Sequence, residues 1–377
     1  MNIIKNINPT TGNPLEIKFF DPLRQYKSIK GEINDAISSV LKGGRYVLAE
    51  NVEAFEREFA DYLGVRYAVG VASGTEAIQL ALMILGIGRG DEVITVPNTA
   101  IPTVSAVSLA GATPVLCDID PLTLTIDVEK VKDRISKNTR AILPVHLYGI
   151  PVDMNRLSVI AEKMSIPLIE DACQAHGASI HGKKVGGFGT LGCFSFYPTK
   201  NLGCYGDGGA VVTDDEDLYD KLKLLRNYGQ RDRYIHEVKG LNSRLDELQA
   251  AVLRVKLKKL DGWNLQRIKL AGYYDELILN KDVIKLPRVN GFTNVYHLYV
   301  IRHPRRDELM QYLAQNGVQT LIHYPIPIHL QRSYAELGSK GDFPVSEKAC
   351  SEVLSLPLYP ELKEAELEYI SDLINKF

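Results

Sequence analysis

Scarcity narrows the sequence first. In 377 residues tryptophan occurs once and cysteine five times. The cysteines (Cys117, Cys173, Cys193, Cys204, Cys350) are odd in number, irregularly spaced and never form a CxxC pair. That argues against a disulfide scaffold or a zinc site and fits a reducing cytoplasm. Neither sign of charge is in surplus: 44 basic residues face 46 acidic ones, for a formal net charge of -2. Nothing in this balance points to a nucleic acid or a membrane surface as partner. The first 20 residues lack the apolar stretch and small-residue cleavage site of a secretory signal, so no targeting is read there. Residues 93–117 carry no charge, but Pro97, Asn98, Pro102, Gly111 and Pro114 interrupt them. Strand, turn, helix and strand is the better reading than a membrane span. No GxxxxGK[ST] loop is present, and no GxGxxG opens a helix after a strand.

What is present is a globular α/β pattern, 45% hydrophobic and long enough for a large core. Apolar runs such as YAVGVA (67–72), DEVITVP (91–97), TPVLCDID (113–120), RAILPVHLYG (140–149), PLIEDAC (167–173), TLGCFSF (190–196) and GGAVVTDD (208–215) read as strands. TEAIQLALMILG, TVSAVSLAG, DVEKVKDRI, MNRLSVIAEKM and DEDLYDKLKLLRNYG lie between them as helix candidates. Continuous apolar strands separated by helices predict a mostly parallel sheet flanked by helices. After Arg244 the pattern becomes a long helical segment, in which Gly262 marks a candidate bend, and then a small α+β region. The expected division is 1–245 for the large domain, with residues 1–23 as an N-terminal extension, and 246–377 for the long helix and small domain.

Three local patterns carry chemistry. In FSFYPTKNLGCYGDGG (194–209) the only cation is Lys200. Two readings compete: a surface lysine, or one whose pKa burial lowers so that its amine becomes a nucleophile. In VASGTEAIQLAL (71–82) a strand end and a Ser-Gly-Thr turn precede a helix with its first turn at Thr75 and Glu76, a site suited to phosphate or simply an ordinary cap. In PLIEDACQAHGA (167–178) a buried strand runs into Glu170 and Asp171, at the edge where α/β sheets face their ligands. Together these are the parts pyridoxal phosphate needs: a phosphate cradle, an acid for the pyridinium nitrogen and a lysine for the Schiff base.

With these motifs the chain resembles the DegT/DnrJ/EryC1/StrS family of fold-type I nucleotide-sugar aminotransferases. The resemblance runs from GGRYVLAENVEAFEREFADYLGV through PVHLYG, IEDACQAHGA and FSFYPTKNLG to IHYPIPIHLQ and LSLPLYPEL. It implies pyridoxal 5'-phosphate as cofactor, with pyridoxamine phosphate in the half-reaction. Lys200 would form the internal aldimine and shuttle the proton; Asp171 would hold the pyridinium nitrogen and Gln174 the phenolic oxygen. Gly74, Thr75 and Ser195 would bind the phosphate, and Asn242 would reach the phosphate site of a neighbouring subunit, in a homodimer with shared sites. Many family members stack an aromatic on the cofactor near Ala100; this sequence offers Ala100, Ile101 or Thr103 as a smaller cover. His323, Tyr324 and His329, together with Thr320, are expected near the sugar-nucleotide entrance or as a Pro-shaped loop. Arg231 or Arg233 is a candidate for a pyrophosphate, whereas His146 and His176 are expected to be packed residues. The segment GLNSRLDELQAAVLRVKLKKLDGWN is similar to the branch that aminates C3 of dTDP-linked 3-keto-6-deoxyhexoses, with an amino acid, expected to be L-glutamate, as donor. C4 amination is the alternative. A dehydratase of the family would have a histidine for Lys200 or an iron-sulfur cluster, and a purely regulatory relative would have lost Lys200, Asp171 or the phosphate residues. None of these holds here.

Overall fold

The structure is a computed structural model and describes residues 16–377. The expected N-terminal extension therefore falls largely outside the described residues.

The apolar runs form one large sheet. Strand β1 (Tyr67–Val71) pairs with Gly209–Thr213, which pairs with Leu191–Ser195, which pairs in parallel with β5 (Ile169–Asp171). The strand Gly209–Thr213 is antiparallel to both its neighbours. Parallel bridges at Ile142 to Leu168 and Val145 to Asp171 continue the sheet to β4 (Thr139–Ile142), β2 (Glu92–Thr95) and β3 (Thr113–Leu116). Most strand positions are buried, as the near-continuous apolar runs require of a sheet covered on both faces.

Helices α1 (Pro22–Gly43) and α2 (Glu50–Leu63) precede β1, and α3 (Gly74–Ile84) follows it. Helix α4 (Ile101–Leu109) joins β2 to β3; α5 (Met154–Met164) and α6 (Glu216–Leu225) complete the cover. The expected helix in DVEKVKDRI reduces to a 3-10 turn, Lys130–Arg134.

The long helical segment is two helices, α7 (Glu247–Leu257) and α8 (Leu260–Leu277). The break falls at Lys258 and Lys259; Gly262 lies inside α8 with open space around it. Beyond α8, the strands Ile284–Lys285, Tyr299–Arg302 and Val353–Leu356 form a small antiparallel sheet. Leu270, Tyr274, Tyr299, Leu354, Tyr359 and Ile370 share a separate core there. Among the described residues no helix is long and apolar enough to cross a membrane.

Candidate active site

Three parallel strands end at the same edge of the sheet and assemble the site. Strand β5 ends on Asp171 and its parallel neighbour ends on Ser195, while β1 ends just before the turn into α3. Ser73 caps α3, its Oγ accepting from the Glu76 N–H at 3.2 Å, so the helix begins at Gly74, one residue earlier than the sequence suggested. The Gly74 and Thr75 N–H groups precede the first intrahelical bonds and carry the positive end of the helix dipole. Gly74 lies against the end of the neighbouring strand. A Cβ there would sit 2.5 Å from the Ser195 Cβ and 3.0 Å from the Cys173 Sγ.

These ends line a cavity of about 250 Å³ that brings together Gly74, Thr75, Asp171, Gln174, Ser195 and Lys200. Asp171 is buried, its Oδ2 accepting from the Thr103 hydroxyl at 2.8 Å and its Oδ1 from the Cys173 N–H at 3.2 Å. Thr99 hydrogen-bonds Thr103 in turn at 2.9 Å. Thr103 lines the cavity as well, and its hydroxyl supports the carboxylate. Ala100 does line the cavity, together with Pro102 and Thr99.

Lys200 sits in a loop pinned at both ends, where the Phe196 N–H donates to Gly208 and the Cys204 N–H to Phe196. The turn that carries it is closed by its own N–H on the Tyr197 carbonyl at 2.9 Å. Burial pushes its ammonium pKa down, against the pull of Cys173 and Asp171. Among the described residues no hydrogen bond or ion pair holds its Nζ. Lys200 is thus a half-buried residue lining this cavity rather than a solvated surface lysine. Cys173 stays a thiol, because burial and then the Asp171 charge raise its pKa well above the ordinary value.

Gln174 is oriented by two partners: its Oε1 accepts from the Tyr148 N–H at 2.8 Å and its Nε2 donates to the Tyr324 hydroxyl at 3.2 Å. Tyr324, adjacent to His323, thereby touches a cavity residue; burial pushes its pKa up to about 12. The His323 Nδ1 faces the Ser355 hydroxyl at 2.9 Å, and burial followed by the Lys200 charge lowers its pKa to about 4. His329 is not brought to the cavity, being buried against Phe343 with its Nε2 on Glu347 at 3.1 Å. Arg231 is also elsewhere, on the exposed hairpin Gln230–His236, paired with Glu237. Asn242 is exposed, bridged to Asn227, and outside the cavity of its own chain.

Glu170, next to Asp171, faces the other way. It accepts from Gly186, Phe188 and Gly189 N–H groups at 2.7–2.8 Å and lies 3.0 Å from the His146 Nε2. The Val152 N–H donates to the His146 Nδ1 at 3.0 Å, so His146 carries its proton on Nε2. His176 packs on Phe194 and Phe196 and, buried beside the Lys200 charge, has a pKa lowered to about 3. Neither histidine lines the cavity. Sequence reading passed over Tyr197, Cys173 and Asp207, which do. Tyr197, three residues before Lys200, was the one with a usable signal.

The cavity fits pyridoxal phosphate on its own donor set. A helix N-terminus beside a serine and a threonine suits a phosphate, a buried carboxylate suits a protonated ring nitrogen, and an unpaired low-pKa amine suits the carbonyl. At the phosphate end residue 74 is glycine, so it adds no side chain where the helix turn meets Ser195. Fold and site together define a pyridoxal-phosphate-dependent transferase of the fold-type I kind. The chain belongs to the DegT/DnrJ/EryC1/StrS aminotransferase family, which it matches over residues 27–375.

Among its relatives, the dTDP-3-amino-3,4,6-trideoxy-alpha-D-glucose transaminase of Streptomyces venezuelae is 46% identical, covering 96% of each chain. The pleiotropic regulatory protein of Geobacillus stearothermophilus is 43% identical over 96% of this chain and 99% of its own. The crystal structure of Streptomyces venezuelae DesV in complex with a ketimine intermediate superposes with a TM-score of 0.94 at 45% identity, covering 96% of this chain and 98% of that one.

Proposed function

We propose that the protein transfers an amino group from an amino acid, L-glutamate, to C3 of a dTDP-linked 3-keto-6-deoxy sugar. The observation that carries the reading is the constellation of Lys200, Asp171, Gln174 and the Gly74–Ser195 cradle in one cavity, in a chain 46% identical to a transaminase named for a dTDP-3-amino sugar. The regulatory relative does not shift it, because this chain retains the amine, the acid and the cradle that chemistry needs.

Bound in this cavity, the cofactor supplies a carbonyl carbon for amine attachment and a ring that takes up electron density. The chain's residues do the rest. The α3 N-terminus with Thr75 and Ser195 would hold the phosphate, and Asp171, fixed by Thr103, would keep the ring nitrogen protonated. Gln174, fixed by Tyr148 and Tyr324, would donate through its Nε2 to the phenolic oxygen. Lys200 Nζ, neutral at lower pH than a surface amine, is the base that takes a proton from carbon and the acid that returns it. His323 and Tyr324 stand on the sugar side.

The working unit is a homodimer in which Asn242 completes the partner's phosphate site. Residues 1–245 and 246–377 act as large and small domains. A cytoplasmic setting is supported by five unpaired cysteines. The test is incubation of the holoenzyme with L-glutamate and dTDP-3-keto or dTDP-4-keto 6-deoxyhexoses, with mass and NMR analysis of the product. The C3-amino sugar is expected from the 3-keto substrates, with loss of about 10²-fold or more in Lys200→Ala. Amination of the 4-keto substrates instead would overturn the regiochemistry, and no amination of any would overturn the function.

A further inference from the structure

At the opposite end of β1 from the cofactor site, a second cavity of about 300 Å³ opens between α2 and α6. It shares no residue with the first, because it lies at Tyr67 and Ala68, where β1 begins, whereas the cradle at Ser73 and Gly74 lies beyond the end of that strand. Its charged lining is Glu53, Glu56 and Arg57 from α2, Arg66 just before β1, Lys223 from α6 and Arg226 at the α6 C-terminus. Four cations thus meet two carboxylates, for a formal charge of +2.

The most deeply placed of these cations is incompletely satisfied. Strand β1 is the edge of the sheet, and a side-chain pair closes its outward backbone: the Gly70 N–H donates to Glu56 Oε1 at 2.7 Å, while Arg226 Nη1 donates to the Gly70 carbonyl at 2.9 Å and to Glu56. Glu56 is thereby committed to the edge. Arg226 is only 7% exposed, and among the described residues neither its Nε nor its Nη2 has a hydrogen-bond partner. A buried guanidinium with donors to spare is costly unless an acceptor comes to it. Ala68 lies two residues before Gly70 and therefore turns its backbone N–H to the same free edge, where it lines the cavity.

The remaining cations are weakly held. Arg57 has no hydrogen bond or ion pair among the described residues. Arg66 and Lys223 flank a stacked pair of rings: the Arg66 guanidinium lies 5.0 Å from the Tyr67 ring centre, Tyr67 and Tyr219 are 4.5 Å apart, and Lys223 Nζ is 4.7 Å from the Tyr219 ring centre. Their acidic neighbours, Glu216 for Arg66 and Asp220 for Lys223, both stand at 3.8 Å and outside the cavity lining.

We propose that this cavity binds the phosphate group of a small phosphate monoester, with Arg57, Lys223 and the free donors of Arg226 on its oxygens. Such a group carries about −1.5 to −2 charge at neutral pH and three strong acceptor oxygens. It neutralises the lining and can accept from donors on separate elements at once, which a single planar carboxylate does not. The inference goes beyond the transamination reading and does not rest on it, since binding is read without turnover.

The test uses the holoenzyme, in which the cofactor already fills the first cradle, titrated calorimetrically with glucose 6-phosphate and separately with inorganic phosphate. Saturable binding of the ester is expected, and the double variant Arg57→Ala with Lys223→Ala should weaken it about tenfold or more. A control, Lys132→Ala with Lys340→Ala, removes the same charge outside the cavity and should stay within about twofold of wild type. All four side chains are exposed, so neither variant endangers the fold. No saturable binding, unchanged affinity in the Arg57/Lys223 variant, or an equal loss in the control would each overturn the site. Inorganic phosphate binding as tightly as the ester would keep the anion site and overturn the ester as its ligand.

Discussion

Glu170 and Asp171 are neighbours in the chain with opposite tasks, because successive side chains on a strand point to opposite faces. The sequence shows both acids at a strand end but not which one faces the ligand; register decides that, and register is a property of the sheet. Burial alone would raise the Glu170 pKa, but the hydrogen bonds from His146 and the Gly186 and Gly189 N–H groups leave it below its ordinary value. The folded pKa is thus below the unfolded one, about 4.3. Its stabilisation is present above that value and is lost as pH falls through the folded pKa. Glu170→Gln, which breaks this buried cluster, is expected to cost about 3–5 kcal/mol near neutral pH. In urea titrations the gap between wild type and variant should shrink as the pH drops below about 4. A gap that stays constant from pH 7 to pH 3 would show that the carboxylate charge is not what the loop 186–189 folds around. Lys200 was legible for a different reason: it is the one cation in an aromatic and glycine-rich run, whereas Thr103 acquires its role only from Asp171, distant in the chain.

Elements were legible where an apolar run was long and bounded, as for Leu191–Ser195 and Gly209–Thr213, and for α5 and α6. They were less so where helical periodicity continued across a break. Lys258 and Lys259 are good helix formers, so nothing local marks the α7–α8 junction, while Gly262, a poor one, sits on an open helix face and is tolerated. The most consequential contact between elements is also invisible in one dimension. Gly74 follows β1 by three residues, and only folding brings it against Ser195, more than a hundred positions away. Gly74→Ala would set a Cβ 2.5 Å from the Ser195 Cβ, too close to keep, so α3 must move off the strand end. Overpacking of this kind costs about 1–3 kcal/mol. Because the displaced turn is the phosphate cradle, cofactor affinity should fall about tenfold or more, corresponding to some 1.4 kcal/mol. Thermal melts of the apoprotein and equilibrium dialysis with pyridoxal phosphate measure the two effects separately. Wild-type cofactor affinity in Gly74→Ala would mean that the α3 N-terminus does not hold the phosphate.

At the scale of the whole molecule, the sheet edge supplies every proposed cofactor residue except one. Asn242 stands exposed on the segment that returns from the hairpin Gln230–His236, next to a surface where Tyr228, Tyr234, Ile235 and Val238 are each between 44% and 79% exposed. Large apolar side chains clustered around a protruding hairpin are costly to leave in water and suit an interface. A two-fold dimer would cover this surface and exchange the Asn242 contacts reciprocally, since an isologous interface gives each subunit what it lends. Subunit mixing tests the exchange. Lys200→Ala removes the amine from its own cavity, and Asn242→Ala removes the amide from the partner's, so each homodimer is impaired at both sites. In the heterodimer one site carries both lesions and the other carries neither. Random reassortment of equal amounts makes half of the dimers mixed, so activity should recover to about a quarter of wild type. Native mass spectrometry verifies the exchange. If Asn242→Ala is impaired alone, heterodimers are present, and the mixture gains nothing over its parents, each cavity is completed within its own chain and the shared-site dimer is wrong.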